Sequence, residues 1–321
     1  MERLKIGVIG TGHMGRNHVR NLAEEARFEL VGIYDKNAEQ ARKIARQYDT
    51  VPFDNLDMLL EQVQAVIVAV PSSLHKQIGL TVAEHGVHAL IEKPLATNSG
   101  DAREIVKAFA EKGLKLQVGH IERFNPVIQE LDKLLNNEQV FFIEVHRYSP
   151  FSGSGRITDT SVIEDLMIHD VDLVCHLMAP YAVSKVRGLG ERVKSDNFDF
   201  ASCTLNFSGR AHAVVNASRV SQDKERTMTI HTIDSYISAD LLYRSIVVSK
   251  NMDLVIDGPH EQSYRQNGLV QKVFVPIQEP LHAELIAFYD SVVNDAPIAV
   301  TGEVGIQAIE ICEEVARQAN L

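Results

Sequence analysis

Five residues in this chain have the types and spacing for proton transfer. Lys93 follows the apolar segment His88-Ala89-Leu90 within the tetrad Ile91-Glu92-Lys93-Pro94. An amine delivered to a cleft by a strand end and partly desolvated there has a lowered pKa, and can hold or move a hydroxyl proton. At a solvent-facing strand end the same lysine is an ordinary surface residue. Further along, Asp165, His169, Asp172 and His176 recur at i, i+4, i+7 and i+11 on an otherwise apolar stretch, so they share one helix face. That stripe has three readings. It is a solvated face, or a proton-transfer pair in which Asp165 orients His169 as general base, or a metal site of two carboxylates and two imidazoles. The metal reading is disfavoured, because four ligands spread over three turns cannot all converge on one ion.

The elements that must position these groups follow from periodicity. Ser161-Val162-Ile163-Glu164 has the S-x-x-E spacing of a capping box and predicts a helix over 162–178. Short apolar runs at 4–9, 28–34, 65–70, 88–91 and 115–118 predict strands. Amphipathic stretches at 14–25, 37–47, 54–61, 73–85 and 99–112 predict the helices between them. This alternation implies βαβ units and a doubly wound parallel sheet, with Gly10, Asp35, Pro71 and Lys93 all falling at strand carboxyl ends. A connecting helix is expected over 122–137. Beyond it, β-rich segments at 139–149, 182–190, 199–208, 211–219, 227–240, 244–248 and 270–276 predict an open, largely antiparallel sheet. Two closing helices are expected near 281–294 and 303–318. The expected fold class is therefore α/β: a Rossmann domain over 1–120 and an α+β domain over 121–321, whose C-terminal helix could pack back on the first.

The first strand runs into Gly10-Thr11-Gly12-His13-Met14-Gly15, a G-x-G-x-x-G turn behind a strand and ahead of a helix, which is the context a dinucleotide fingerprint requires. Gly10 would make the tight turn, Gly12 would let backbone approach a pyrophosphate, and Gly15 would let the helix pack close. The helix N-terminus offers N–H groups and a positive dipole end to phosphates. Asp35, twenty residues past Gly15, ends the second strand where a carboxylate accepts hydrogen bonds from ribose hydroxyls. It would repel a 2'-phosphate, so the expected cofactor is NAD rather than NADP, although Lys36 beside it could pair with a phosphate.

Bulk properties exclude several classes. The chain has 321 residues, 45% apolar and 23% charged, an ordinary globular composition. Its longest apolar run, Ala65 to Pro71, is far too short to span a bilayer. A net charge of −11 opposes broad attraction to nucleic acid or anionic membranes, so an anionic ligand would need local cations. Cys175, Cys203 and Cys312 form no C-x-x-C pair, which argues against a disulfide framework or structural zinc. Met1 to Lys5 lead straight into the first strand without a signal-peptide core, and the cytoplasm is the expected location.

A third group, Val118-Gly119-His120-Ile121-Glu122-Arg123-Phe124-Asn125-Pro126, lies at the expected domain junction. Arg123 could meet an anionic or polyhydroxylated substrate, or pair with an acid across an interface. His146, Arg147 and Tyr148 invite the same two readings. Ser152-Gly153-Ser154-Gly155 reads as a surface loop or a lid. A sheet with one naked apolar face is unstable alone, so a homodimer or homotetramer through the second-domain sheet is expected.

The chain resembles the glucose-fructose oxidoreductase and inositol dehydrogenase family along nearly its whole length. The resemblance rests on the glycine turn, Val70-Pro71 with His75 beyond it, Glu92-Lys93-Pro94, Val118-Gly119 with Arg123-Phe124, and Asp165 ahead of His169. It implies Lys93, Asp165 and His169 as the catalytic set. It also implies Gly10, Thr11, Gly12, His13, Met14, Gly15, Asp35, Pro71, His75, Glu92 and Lys93 around the NAD, and Arg123, His146, Asp165 and His169 at the substrate, with no metal. The family's usual glycine between the Asp and His is Met167 here. Within the family, Gly119 to Pro126 and Asp165 to Asp170 look like the UDP-N-acetylglucosamine 3-dehydrogenase branch. That implies oxidation of a nucleotide sugar at C3, with Arg219, Lys224 and Arg226 as candidate diphosphate cations. An inositol or free-sugar dehydrogenase is the rival within enzymes, and a non-catalytic NAD-binding regulator is the rival outside them.

Overall fold

The structure is a computed structural model that describes residues 3–136, 138–151, 160–256 and 264–320. Ser152-Gly153-Ser154-Gly155 lies outside the described residues. The chain forms two compact units, Met1–Phe124 with Glu279–Glu310, and Asn125–Gln278 with Ile311–Leu321.

The first unit alternates β1 (Leu4–Ile9), α1 (His13–Glu24), β2 (Phe28–Tyr34), α2 (Ala38–Gln47), β3 (Pro52–Phe53), α3 (Leu56–Leu60), β4 (Ala65–Val68), α4 (His75–Glu84), β5 (His88–Glu92), α5 (Ser99–Glu111) and β6 (Leu116–Gly119). Its strands are all parallel, in the order β3-β2-β1-β4-β5-β6. All four residues of β4 are buried, as expected for a strand covered on both faces. The order reverses beside β1, where β2 pairs on one side and β4 on the other, and such a switch point is where open α/β sheets bind ligands. The two-residue β3 is too short to show a period in sequence. It forms by pairing Pro52 and Phe53 with Ile33 and Tyr34.

This unit also takes up a later part of the chain, Glu279–Glu310. The chain returns to it in α8 (Pro280–Val293), which buries Leu285, Phe288 and Tyr289 in the core with Ile6, Val8, Phe28 and Ile33. Tyr289 meets Phe28 edge-on, with ring centroids 5.7 Å apart. Burying one such aromatic contributes roughly 1.5–3 kcal/mol. Amphipathic periodicity finds this helix but not the sheet it covers.

The second unit contains α6 (Pro126–Leu135) and an eight-stranded sheet, ordered β14-β13-β12-β11-β7-β10-β9-β8. These strands are β7 (Val140–Pro150), β8 (Val183–Glu191), β9 (Phe200–Phe207), β10 (His212–Ser221), β11 (Glu225–Thr232), β12 (Ser235–Asp240), β13 (Ser245–Ile256) and β14 (Tyr264–Val273). Only β7 and β10 pair in parallel; the remaining neighbours are antiparallel. The segment 227–240, expected as one strand, is two, joined by a turn that exposes Ile233. Along β7, Ile143, Val145 and Arg147 are buried while Phe142, Glu144 and His146 are half-buried, so one face of the strand is covered and the other is open. α7 (Ile168–Leu177) is entered through a wide π turn, Ile163–Met167. The last helix, α9 (Gly302–Ala319), contributes to both units.

Candidate active site

The glycine turn has the geometry its spacing implies. Gly10 sits at φ +91°, and a Cβ there would come within 2.6 Å of the Ala69 carbonyl oxygen. A Cβ on Gly15 would lie 1.9 Å from the Gly10 oxygen, so only glycine lets α1 start this close to the turn. A Cβ on Gly12 would meet nothing within 4 Å, which leaves the backbone there open to a ligand. α1 begins just after Gly12, with no side-chain cap and no acidic residue in its first turn, so its terminal N–H groups suit a phosphate. His13 and Pro71 are exposed and Met14 is half-buried around this opening. These features fit a dinucleotide.

Asp35 does more than the sequence reading assigns it. Its Oδ2 accepts from the Thr11 backbone N–H at 2.6 Å and the Thr11 hydroxyl at 2.8 Å, while Oδ1 accepts from the Asn37 N–H at 2.8 Å. The carboxylate therefore braces the glycine turn from the end of β2. Gln40 Nε2 adds a bond to the Thr11 carbonyl at 3.2 Å. Asp35 stays half-buried, which leaves it within reach of a ligand hydroxyl.

At the end of β5, Lys93 is half-buried, but its neighbour Glu92 turns inward and lies 2.7 Å from His18 Nε2 on α1. His75 is 1% exposed, with Nδ1 2.8 Å from the Pro94 carbonyl and Nε2 2.9 Å from the Val70 carbonyl. Burial holds its pKa below the ordinary histidine value, against the pull of those carbonyls. Glu92 and His75 are expected above among the cofactor-binding residues. In the structure Glu92 is buried at the end of β5, and His75 ties the ends of two strands together beneath the surface. Arg123 is half-buried on a single helical turn, Ile121–Phe124.

In the second unit, Asp165 lies within the π turn and His169 on the first turn of α7, both half-buried. The capping serine acts one residue early: Ser161 Oγ accepts from the Ile163 N–H at 3.1 Å. The Ile168 N–H reaches back five residues to the Ile163 carbonyl, and π turns of this kind recur at functional sites. The stripe is not one solvated face. Asp172 is 2% exposed, and His176 turns to Asp132 on α6 at 2.9 Å. Among the described residues, the His, Cys, Asp or Glu groups whose ligand atoms converge are His18, Glu92 and Glu284, not those of the stripe.

The residue beside His169 anchors the helix. Asp170 takes a bidentate bond from Arg147 of β7, at 2.7 and 2.8 Å, with both side chains almost wholly buried. The signal for this role of Arg147 in the sequence is its parity with the apolar Ile143 and Val145. The same parity sets His146 apart from Arg147. It lies on the opposite face of β7, with Nδ1 2.8 Å from the Tyr148 hydroxyl and Nε2 3.2 Å from Glu144. Arg219, one of the three expected diphosphate cations, is 3% exposed and bonds Asp199 at 2.7 Å, the Thr160 carbonyl at 2.6 Å and Ser195 Oγ at 3.0 Å. Lys224 is exposed and Arg226 half-buried.

The glycine turn of the first unit can therefore cradle a dinucleotide, and in the second unit Asp165 and His169 are half-buried on successive turns. Among the described residues, no helix is long and apolar enough to cross a membrane. Residues 4–120 match the oxidoreductase family with an NAD-binding Rossmann fold (GFO/IDH/MocA), and residues 139–236 match the C-terminal domain of that family. A UDP-N-acetylglucosamine 3-dehydrogenase from Acidithiobacillus ferrooxidans is 35% identical over 246 residues, 77% of each chain. The solved structure of that enzyme superposes with a TM-score of 0.89 over 99% of this chain and 98% of its own. An inositol 2-dehydrogenase/D-chiro-inositol 3-dehydrogenase from Halalkalibacterium halodurans is 29% identical over 53% of this chain and 51% of its own. With the glycine cradle, the Glu-Lys-Pro strand end and both family domains in place along one chain, this protein belongs to the GFO/IDH/MocA family of NAD-binding oxidoreductases.

Proposed function

We propose that this protein is an NAD-dependent dehydrogenase that oxidises the C3 hydroxyl of a UDP-N-acetylhexosamine to the 3-keto sugar. One observation carries the substrate class: the similarity to a UDP-N-acetylglucosamine 3-dehydrogenase extends over 77% of both chains, and Lys93, Asp165 and His169 are all present here. The choice of NAD over NADP is supported by Asp35, whose carboxylate would repel a 2'-phosphate where it would bind a ribose hydroxyl.

The first unit takes the cofactor and the second the sugar. With its pyrophosphate in the glycine cradle, NAD would supply a nicotinamide as the hydride acceptor. Lys93 Nζ holds the reacting hydroxyl oxygen and shares its proton, His169 accepts that proton as general base, and Asp165 orients the ring and stabilises the imidazolium. Arg123 donates to the sugar, and Lys224 and Arg226 remain candidate cations for the diphosphate, whereas Arg219 is buried against Asp199. We assign the open face of the second sheet, which carries Phe142, Glu144, His146 and Tyr148, to contact between copies of the chain; sedimentation gives the subunit number.

The similarity to an inositol dehydrogenase, with the loss of Arg219 from the diphosphate set, supports a second substrate class, a cyclitol or free sugar. Incubation with NAD and UDP-N-acetylglucosamine, myo-inositol or glucose, followed by absorbance of the reduced nicotinamide, separates the two. A keto-acid acceptor keeps a tightly held cofactor turning over. Reduction with the nucleotide sugar alone supports the proposal. Reduction with inositol or glucose alone replaces it, and no reduction with any alcohol favours a non-catalytic NAD-binding protein.

A further inference from the structure

The first unit contains a buried cluster for which neither the cofactor nor the sugar has a use. His18 on α1, Glu92 at the end of β5 and Glu284 on α8 bring one ligand atom each to within 4.8 Å of one another, and all three are buried. His18 Nε2 lies 2.7 Å from Glu92 Oε1. Neither carboxyl oxygen of Glu284 has a hydrogen-bond partner, and neither does His18 Nδ1. The facing strand contributes Gln117, whose Nε2 donates to the Glu284 backbone carbonyl at 3.3 Å.

We propose that His18, Glu92 and Glu284 share a single negative charge and act together as a positioning device for Lys93. Two carboxylates this close and this dry cannot both be ionised, so one holds a proton. Glu284 is that one, because a charge on it would leave two buried oxygens unpaired, whereas Glu92 has the His18 donor. Burial above all, and then the Glu92 charge, push the Glu284 carboxyl well above the ordinary carboxylate range. His18 Nε2 faces Glu92, and its Nδ1 is buried without a hydrogen-bond partner. A common metal ion does not explain the spacing. Donors about 2.0–2.1 Å from a tetrahedral ion sit roughly 3.3 Å apart, and His18 and Glu92 are at hydrogen-bond distance instead.

The cluster joins three elements that the chemistry needs in register. His18 is on the helix that starts at the glycine turn, Glu92 directly precedes Lys93, and Glu284 is on the helix that returns to cover the sheet. The Glu92 side chain is buried against His18, so holding it fixes the backbone from which the next residue, Lys93, departs. A shift of about 1 Å in a reacting group costs on the order of 10²-fold in rate. This role rests on the assignment of Lys93 to the chemistry proposed above.

The test is an infrared and kinetic comparison of the purified full chain, with NAD and UDP-N-acetylglucosamine as probes. At neutral pH the wild type is expected to show a protonated-carboxyl band that disappears in Glu284→Gln. His18→Leu is expected to lower kcat on the order of 10²-fold, with the NAD Kd and sugar KM little changed. His18→Gln, which keeps an N–H donor, is expected to recover most of that loss. Absence of the band, or a stoichiometric divalent metal lost in Glu284→Gln, overturns the shared-charge assignment whether or not His18→Leu folds. Lys93→Met distinguishes the two levels. If it abolishes turnover while His18→Leu and His18→Gln do not alter kcat, the positioning role fails alone; if Lys93→Met turns over normally, the assignment of Lys93 fails and the positioning role fails with it.

Discussion

Arg147 and Asp170 meet through two parallel N–H···O bonds, 2.7 and 2.8 Å long, in a site where both side chains are almost wholly buried. Asp170 directly follows His169, so this pair pins the helix carrying the imidazole to the central strand β7. A buried pair of this kind is costly to break singly, because the surviving charge stays buried and loses its bidentate partner. Asp170→Ala is expected to destabilise the protein by about 3–5 kcal/mol in urea unfolding. The double change Arg147→Met with Asp170→Leu is expected to restore most of that stability, since it leaves no orphaned charge. Equal losses in the single and double variants would show that packing, not the ion pair, dominates.

Asp199 provides a pH-dependent contribution elsewhere in the same unit. Burial pushes its carboxyl up, but the N–H groups of Lys194, Val193 and Ser195, the Ser195 hydroxyl and Arg219 together outweigh burial and hold it well below the ordinary range. A depressed folded pKa stabilises the fold above the unfolded value of about 3.9, and that stability is lost as pH falls through the folded value. The stability gap between wild type and Asp199→Asn should therefore be constant from neutral pH down to about pH 5 and shrink steadily below about pH 4. Chemical denaturation across that range measures it, and a gap independent of acid would contradict the assignment.

For Asp35, the expected effect is on cofactor choice. Asp35→Ala removes the acceptor for a ribose hydroxyl and the brace on Thr11, so the NAD Kd should rise roughly 10- to 100-fold, the worth of a charged hydrogen bond. NADP binding should weaken less, because the same change removes a repulsion. Calorimetric titration of both nucleotides gives the ratio.

Gly15→Ala tests the turn itself. The added methyl would overlap the Gly10 oxygen at 1.9 Å, a backbone contact that no rotamer relieves. Nucleotide binding should be abolished, with loss of thermal stability that added NAD does not restore. Gly12→Ala, with nothing near its Cβ, should fold normally and lose nucleotide affinity only.

Most of the first sheet was legible because its strands are buried runs and its helices are amphipathic, so each period shows in sequence. The glycine turn was legible because the G-x-G-x-x-G spacing is local: Gly15 answers to the Gly10 backbone five residues before it, although the Ala69 backbone that crowds Gly10 lies just past the end of β4, the neighbouring strand of the sheet. The partners of Glu92, Arg219 and Asp170 were not. Their bonds to His18, Asp199 and Arg147 span 20 to 74 positions, and no local period records which strand face meets which helix. The π turn at Ile163–Met167 escaped notice because an apolar helix winds as well with one wide turn as without it. The face of β7 that carries His146 was not legible either; Arg147 reveals it once its pairing with Asp170 is known.

The most direct measurement is single-turnover hydride transfer from UDP-N-acetylglucosamine deuterated at C3, comparing wild type with Lys93→Met and His169→Ala. The wild type should deliver deuterium to the nicotinamide. Each variant should transfer it some 10²- to 10⁴-fold more slowly, with the NAD Kd little changed. Reduced nicotinamide without deuterium from C3, or unaltered transfer rates in both variants, would contradict the account.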